Sequence, residues 1–148
     1  MQIDFYKYQG AGNDFVIVDN RNNLFPKEDH QRIQTICDRK FGIGADGLML
    51  LEDADHVDFK MTYYNADGKV GSMCGNGGRC MVAFAKSLGL FEQKTSFEAL
   101  GEIYSASVTG DVVHLKMMDV NEIEVHPDHV FLDTGSPHHI SFSDDLSQ

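Results

Sequence analysis

The stretch at residues 73–88 reads MCGNGGRCMVAFAKSL. From Gly75 onward it predicts a helix whose apolar residues cover almost every side, so we expect this helix to be buried rather than half exposed. Lys86 suits the C-terminal end of the helix dipole, and Gly89 is a good terminating residue. The remaining segments are therefore expected to surround this helix.

Segments on both sides of the helix have the patterns of β-strands. Residues 57–64 alternate apolar and polar side chains, the period of a half-buried strand, and residues 65–68 close it in a turn. A shorter helix starts after Asp29, and we expect Gly42 and Gly44 to end it. Other strands are expected at residues 3–8, 15–18, 48–51, 95–99, 103–108, 112–117 and 129–133, with a loop at 9–14. This pattern predicts an α+β fold with antiparallel β-strands wrapped around a central buried helix.

Composition and charge narrow the classes of function. The 148 residues are 42% hydrophobic and 24% charged, which is the balance of a soluble globular protein. The formal net charge of −11 repels phosphate backbones and argues against nucleic-acid binding. No apolar run approaches the roughly 20 residues that span a bilayer, and the N-terminal residues 1–5 lack the features of a signal peptide. These observations predict a cytoplasmic protein without a membrane partner.

The chain has three cysteines, Cys37, Cys74 and Cys80. An odd count without a secretion signal argues against a disulfide framework, so each thiol is either a small core residue or a reactive group. Cys74 stands out because it directly precedes the glycine-rich start of the buried helix. The plainer interpretation of that segment is a glycine-rich turn next to a buried cysteine.

The residues around Cys74 fit one kind of chemistry. Glycines let a ligand approach the backbone, and the free N–H groups and dipole of a helix start attract an anion such as a carboxylate. The same features favour the ionised form of a cysteine. A reactive thiol beside a carboxylate-binding site suits the movement of a proton at the carbon next to that carboxylate.

Nucleotide and metal sites fit the sequence less well. Residues 42–47, GIGADG, match the dinucleotide pattern of glycines, but a helix precedes them and a strand follows, which is the reverse of what that site needs. Residues 10–15 lack the third glycine. Cys74 and Cys80 do not have the spacing of a structural zinc site. Histidines that could join them are more often solvated, so we predict no metal site; they are His126, His129, His138 and His139.

Four segments together resemble the N-terminal half of the diaminopimelate epimerase family. They are YQGAGNDF at residues 8–15, CDR with GIGADG between residues 37 and 47, YNADG leading to MCGNGGRC between residues 64 and 80, and GSPH at residues 135–138. The third segment is highly specific, and the others follow in the family's order.

The resemblance implies an enzyme that interconverts LL- and meso-diaminopimelate in the bacterial lysine and cell-wall pathway, without a cofactor or metal. It implies two similar domains, so residues 1–118 would form the first and residues 119–148 the start of the second or an inter-domain segment. One thiolate removes the α-proton and a second thiol, in the other domain, delivers one from the opposite side. The expected partner is a small amino-acid substrate, and a homodimer is left open.

The resemblance also assigns residues. Cys74 takes the place of the first catalytic cysteine, and Gly75 and Asn76 that of the groups that bind the substrate α-carboxylate. Asn13 and Asn65 match substrate-binding asparagines, although asparagine also favours turns.

Three further positions either have a second interpretation or depart from the family's usual residue. His138 matches a histidine that adjusts the acidity of the thiols; without the resemblance it reads equally well as a surface histidine. Gly47 stands where the family often has a substrate-contacting glutamine and offers only backbone, and Ser136 replaces a usual asparagine but can still form hydrogen bonds.

The second catalytic cysteine of the family lies in its second half. Cys80 cannot replace it, because six residues along a helix rise roughly 9 Å and turn away from Cys74. Cys37 belongs to another helix, so we expect both to be structural and the 148-residue chain to be inactive alone. Two alternatives are a proline-racemase-like or other amino-acid racemase and a non-enzymatic module that binds carboxylates.

Overall fold

The computed structural model describes residues 2–145, in which two helices and ten strands are formed. The helices are α1 (His30–Cys37) and α2 (Gly75–Ser87). The strands are β1 (Tyr6–Gly10), β2 (Asn13–Asp19), β3 (Gly47–Glu52), β4 (Phe59–Asn65), β5 (Lys94–Ala99), β6 (Glu102–Thr109), β7 (Val112–Lys116), β8 (Ile123–Val125), β9 (Val130–Asp133) and β10 (Pro137–Ile140). None of the helices described is long and apolar enough to cross a membrane.

Strands β1 to β7 form one sheet in sequence order. The pairs β2–β3 and β4–β5 are parallel and the other four pairs are antiparallel. The predicted α+β fold is confirmed, but the expectation of antiparallel strands throughout was wrong for these two pairs. A parallel pair needs a long crossover connection, and α1 and α2 lie in the two crossovers.

The sheet curls around α2, which is buried as predicted. The ring of Phe84 on α2 lies 4.7 Å from that of Tyr6 on edge strand β1. At the opposite edge, a Cβ on Gly78 would lie 2.8 Å from Leu115 of β7. Because both edge strands touch the same helix, the sheet wraps around it and buries its apolar surface on nearly all sides.

Helix α1 covers the other face of the sheet. Ile33 and Cys37 are buried there in a second core together with residues of β2 and β3, and the side chain of Asp29 caps the helix by accepting from Arg32 N–H at 3.0 Å. The helix ends at Cys37 rather than at the predicted glycines. Asp38 follows in an extended conformation and accepts from the next backbone N–H groups, which starts a turn.

The predicted loop at residues 9–14 is instead a tight hairpin. Gly10 pairs with Asn13, and Ala11 and Gly12 alone form the turn, both with positive φ (53° and 84°). Two such residues are typical of a turn whose twist matches the strands. Asn13 is therefore the first residue of a strand and is held in a fixed register.

Strands β8, β9 and β10 form a separate antiparallel sheet. Only β9 was predicted; β8 and β10 were missed. The predicted boundary between residues 118 and 119 falls in the irregular segment that joins the two sheets. That this segment separates two domains stays a prediction.

Candidate active site

Cys74 is the N-cap of α2. Its Sγ accepts a hydrogen bond from Gly77 N–H at 3.4 Å, and the first turn of the helix contains no acidic residue. The N-cap is usually Ser, Thr, Asp or Asn, whose oxygen accepts such a bond, and a thiolate can do the same. The sulfur is half-buried and lies at the positive end of the helix dipole.

Asn13 reaches the same sulfur from β2. The thiol of Cys74 donates to Asn13 Oδ1 at 3.6 Å, and the amide of Asn76 donates to the same oxygen at 3.5 Å. Asn13 Nδ2 donates to Asp46 Oδ2 at 2.6 Å, which fixes the orientation of the Asn13 amide. Arg79 in turn donates to Asn76 Oδ1. These bonds connect the helix start to the first strands of the sheet.

An ion-pair network stands behind Asn13. Arg39 lies 2.6 Å from Asp14 and 2.7 Å from Asp46, and Lys7 lies 2.8 Å from Asp14. Hydrogen bonds from Arg39 and Lys7 hold the pKa of Asp14 well below its usual range. The hydrogen bond from Asn13 is the largest cause that lowers the pKa of Asp46. Asp46 is therefore ionised at neutral pH. Its carboxylate accepts the hydrogen bond from Asn13 Nδ2 and so holds the Asn13 amide in place.

A cleft of about 470 Å³ opens above the start of α2, a volume within the range of small-molecule sites. Six of the eight residues predicted from the sequence line it: Asn65, Cys74, Gly75, Asn76, Ser136 and His138. A seventh, Asn13, contacts two of them. Residues from the whole length of the chain are thus brought to one place.

The second sheet closes one side of the cleft. Ser136, in the turn between β9 and β10, donates to Met73 O at 3.1 Å, and its Oγ lies 2.5 Å from that of Ser72. His138 Nδ1 lies 2.7 Å from Ser136 O. Because a carbonyl oxygen only accepts, Nδ1 carries the hydrogen, and Nε2 is the nitrogen that can exchange a proton.

Gly47 does not line the cleft. It is buried at the start of β3, and a Cβ there would lie 2.4 Å from Cε2 of Tyr63. The ring of Tyr63 lies against Gly47 and does line the cleft. The residue with which substrate contact was predicted is therefore covered by a neighbour.

Tyr63 and Arg79 are among the cleft residues that sequence reasoning missed. Tyr63 was predicted to be one of the alternating apolar residues of a strand. Nothing in that pattern distinguishes Tyr63 from the apolar residues before it. Arg79 could have been found, because a cation close to the N-terminus of α2 opposes the helix dipole and so needs another reason to be there.

The other two thiols lie away from the cleft. Cys37 is buried at the end of α1, and Cys80 is buried in the core around α2. Burial raises the pKa of each to about 11. Both are thus protonated at neutral pH. Within residues 2–145, no group of three or more His, Cys, Asp or Glu side chains is arranged to hold a metal ion.

The architecture, a curled sheet around a buried helix, is shared with solved structures of other proteins. A Bacillus anthracis phenazine biosynthesis protein of the PhzF family superposes with a TM-score of 0.73 at 16% identity, over 95% of this chain and 56% of that one. A hydroxyproline epimerase from Agrobacterium vitis gives 0.65 at 12% identity, over 93% and 50%. At these identities the similarity shows the fold alone.

The sequence comparison names the family. Residues 5–124 match diaminopimelate epimerase, and this chain belongs to that family, as the sequence motifs predicted. The diaminopimelate epimerase of Flavobacterium psychrophilum is 54% identical over 96% of this chain and 56% of its own length. That of Chlorobaculum tepidum is 45% identical over 94% and 57%. The chain spans about half the length of the curated relatives it matches.

Proposed function

We propose that this chain supplies one half of the active site of a diaminopimelate epimerase, an isomerase that moves the proton at the substrate α-carbon without a cofactor. The observation that carries the proposal is Cys74, a half-exposed thiol that caps α2 and opens into the cleft. Membership of the family supports the substrate, because its curated relatives are diaminopimelate epimerases.

The start of α2 would bind the substrate α-carboxylate. Among residues 2–145 no acceptor pairs with the backbone N–H of Gly75 or Asn76, so both donors are free for a ligand. Arg79 adds a positive charge beside them. A carboxylate held here would bring the adjacent α-carbon against Cys74.

Cys74 would then act as base in one direction and as acid in the other. As a thiolate it accepts from Gly77 N–H, and as a thiol it donates to Asn13 Oδ1. Each protonation state thus has a partner already in place, which keeps the sulfur positioned as the proton comes and goes. We assign Asn13 to holding the sulfur as well as to the predicted substrate contact.

The other predicted residues surround this centre. Asn65 and Ser136 would bind the substrate through side-chain hydrogen bonds, and the exchangeable Nε2 of His138 would adjust the charge near the thiol. We limit the role of Gly47 to making room for the ring of Tyr63, because it does not line the cleft.

The second acid–base group would come from outside these 148 residues. Cys37 and Cys80 are buried and protonated, and neither lines the cleft. We therefore expect this chain alone to bind substrate without epimerising it. Free thiols suit a reducing compartment, which favours the cytoplasm.

The first test measures proton exchange. With the full-length protein in deuterium oxide, we expect the α-hydrogen of LL-diaminopimelate to exchange with solvent, and Cys74→Ala to abolish this exchange. Cys37→Ala is the matched control and should retain it, since that thiol is buried at the end of α1 and does not line the cleft. Exchange at the wild-type rate in Cys74→Ala would refute the proposal.

The second test concerns the carboxylate site. A Cβ on Gly75 would lie 3.6 Å from Arg79 and 3.7 Å from Met117, which is ordinary contact, so Gly75→Ala should fold. Alanine favours a helix over glycine, and the melting temperature should be equal or slightly higher. The new methyl group would obstruct the carboxylate, and we expect KM to rise at least about tenfold. An unchanged KM would place the carboxylate elsewhere.

A further inference from the structure

We propose that Tyr63 determines the substrate specificity of the cleft, with its hydroxyl hydrogen-bonding a polar group on the side chain of the amino-acid substrate. This inference rests on the proposed function, because it takes the reacting end of the substrate to lie at Cys74 and the start of α2. It assigns to Tyr63 a contact with the substrate that neither the motifs nor the strand pattern indicate.

The ring of Tyr63 is held rigidly. It lies between two glycines: a Cβ on Gly47 would be 2.4 Å from Cε2, and a Cβ on Gly71 would be 2.5 Å from Cδ1 and Cε1. Phe15 meets the ring edge-on, with centroids 6.0 Å apart. A side chain at either glycine would displace the ring. Two segments of the chain therefore leave space for the ring, and Phe15, from a third segment, packs against it.

The hydroxyl at the end of this ring is free. Among residues 2–145, no side chain or backbone group forms a hydrogen bond with it. No buried side-chain oxygen in that part of the chain lacks a partner, so the Tyr63 hydroxyl must reach solvent, and Tyr63 lines the cleft. A fixed hydroxyl without a protein partner, on a residue that lines a binding cleft, is a ligand contact that has been prepared in advance.

The chemistry of the hydroxyl limits what it can bind. Burial raises the pKa of Tyr63 to about 12, so it is neutral at physiological pH and can both donate and accept. Asn65, two residues along β4, lies on the same face and also lines the cleft. The thiol and the carboxylate site draw their partners from α2 and β2 instead. Tyr63 and Asn65 are therefore placed for the rest of the substrate.

This arrangement selects against apolar side chains. A ligand with a polar terminus pairs with the hydroxyl, whereas an apolar chain of the same length would cover it and leave it unpaired. Sites built around such a group reject analogues that lack the partner. The cleft should thus prefer diaminopimelate to 2-aminoheptanoate, which has a chain of equal length and an apolar end.

The test compares Tyr63→Phe with Tyr64→Phe in the full-length protein. The first variant keeps the clamped ring and loses the hydroxyl. The second loses the hydroxyl of Tyr64, a residue of the core under α1 that does not line the cleft, and serves as the control. We expect Tyr63→Phe to raise KM for diaminopimelate about tenfold, with kcat within about threefold of wild type. Inhibition by 2-aminoheptanoate should be unchanged or tighter, and Tyr64→Phe should alter neither constant.

The possible failures can be told apart. If the wild-type protein does not turn over diaminopimelate, the proposed function is wrong and this inference falls with it. If the wild type is active but Tyr63→Phe leaves KM unchanged, or lowers kcat without raising KM, only the role of Tyr63 is overturned. Equal weakening of diaminopimelate and 2-aminoheptanoate would show a structural effect and would also overturn it.

Discussion

The seven-stranded and three-stranded sheets of this chain differ in what covers them. The first has an apolar core on each face, one around α2 and one under α1. In the second, every residue of β8 and β10 is exposed, and Val125 has 77% of its surface accessible. Both nevertheless contribute to the cleft. The Cys74 thiol, at the start of the buried helix α2, therefore shares the cleft with Ser136, which lies in a turn of a sheet that has no apolar core of its own among the residues described.

The side of the cleft formed by α2 and the side formed by the second sheet are therefore held in place by different forces. Cys74 is positioned by burial of α2, which costs several kcal/mol to disturb. Ser136 and His138 are positioned by a few hydrogen bonds near the cleft, each worth about 1 kcal/mol. The side of the cleft that contains Ser136 and His138 should consequently open more readily than the side that contains Cys74.

The largest effect on stability is expected from removing an aromatic side chain from the core around α2. Phe84 is fully buried, and Phe84→Ala should lower the free energy of unfolding by about 3–5 kcal/mol. Phe142 is 95% exposed, and Phe142→Ala should change it by less than about 0.5 kcal/mol. Urea denaturation of both variants measures the contrast in free energy of unfolding. Similar losses would show that the segment after β10, which contains Phe142, is packed after all.

Hydrogen exchange followed by mass spectrometry should reveal the same contrast without mutation. Amides of β2 to β4 are covered on both faces and should exchange near the rate of global unfolding, whereas those of β8 to β10 should exchange at least about a hundredfold faster. Equal protection of the two sheets would contradict the comparison.

A smaller, local effect is expected where the sheets meet. Ser136→Ala removes the hydrogen bond to Met73 O, and the amides of residues 130–140 should exchange about five times faster while the melting temperature stays the same. Ser143→Ala, which removes a bond to Asp145 two residues away, is the control. A drop in global stability would mean that the two sheets unfold together.

The smallest effect concerns pH. Hydrogen bonds from Arg39 and Lys7 lower the folded-state pKa of Asp14, so its stabilisation is present above the unfolded value of about 3.9 and is lost as the pH falls below it. Because Asp14 is partly solvated, Asp14→Asn should cost only about 1 kcal/mol at pH 7. The difference should shrink as the pH falls below 4.

In the loop between β8 and β9, Asp128 pairs with His129 at the surface. Asp128→Asn should leave the curve of stability against pH unchanged, because solvent screens an exposed pair. A pH-dependent loss in this variant equal to that of Asp14→Asn would remove the distinction between the regions.

Much of the fold followed from local patterns. The apolar residues of α2 and the cap of α1 act within a few positions, so both helices could be predicted. Strands β8 and β10 could not, because they are three and four exposed residues long and have no periodic signal. The hairpin at Ala11 was missed since only its pairing shows that a non-glycine residue adopts positive φ.

The sequence by itself determined the buried helix, the position of Cys74 at its start and the family. These depend on neighbouring residues, whose spacing fixes a helix, its cap and its dipole. Only the tertiary structure decided that Asn13 and Asp46 hold the thiol, that Ser136 closes the cleft, and that Tyr63 fills the space beside Gly47. Those contacts join residues far apart in the chain, and they exist only because the sheet curls around α2 and brings the ends of its strands together.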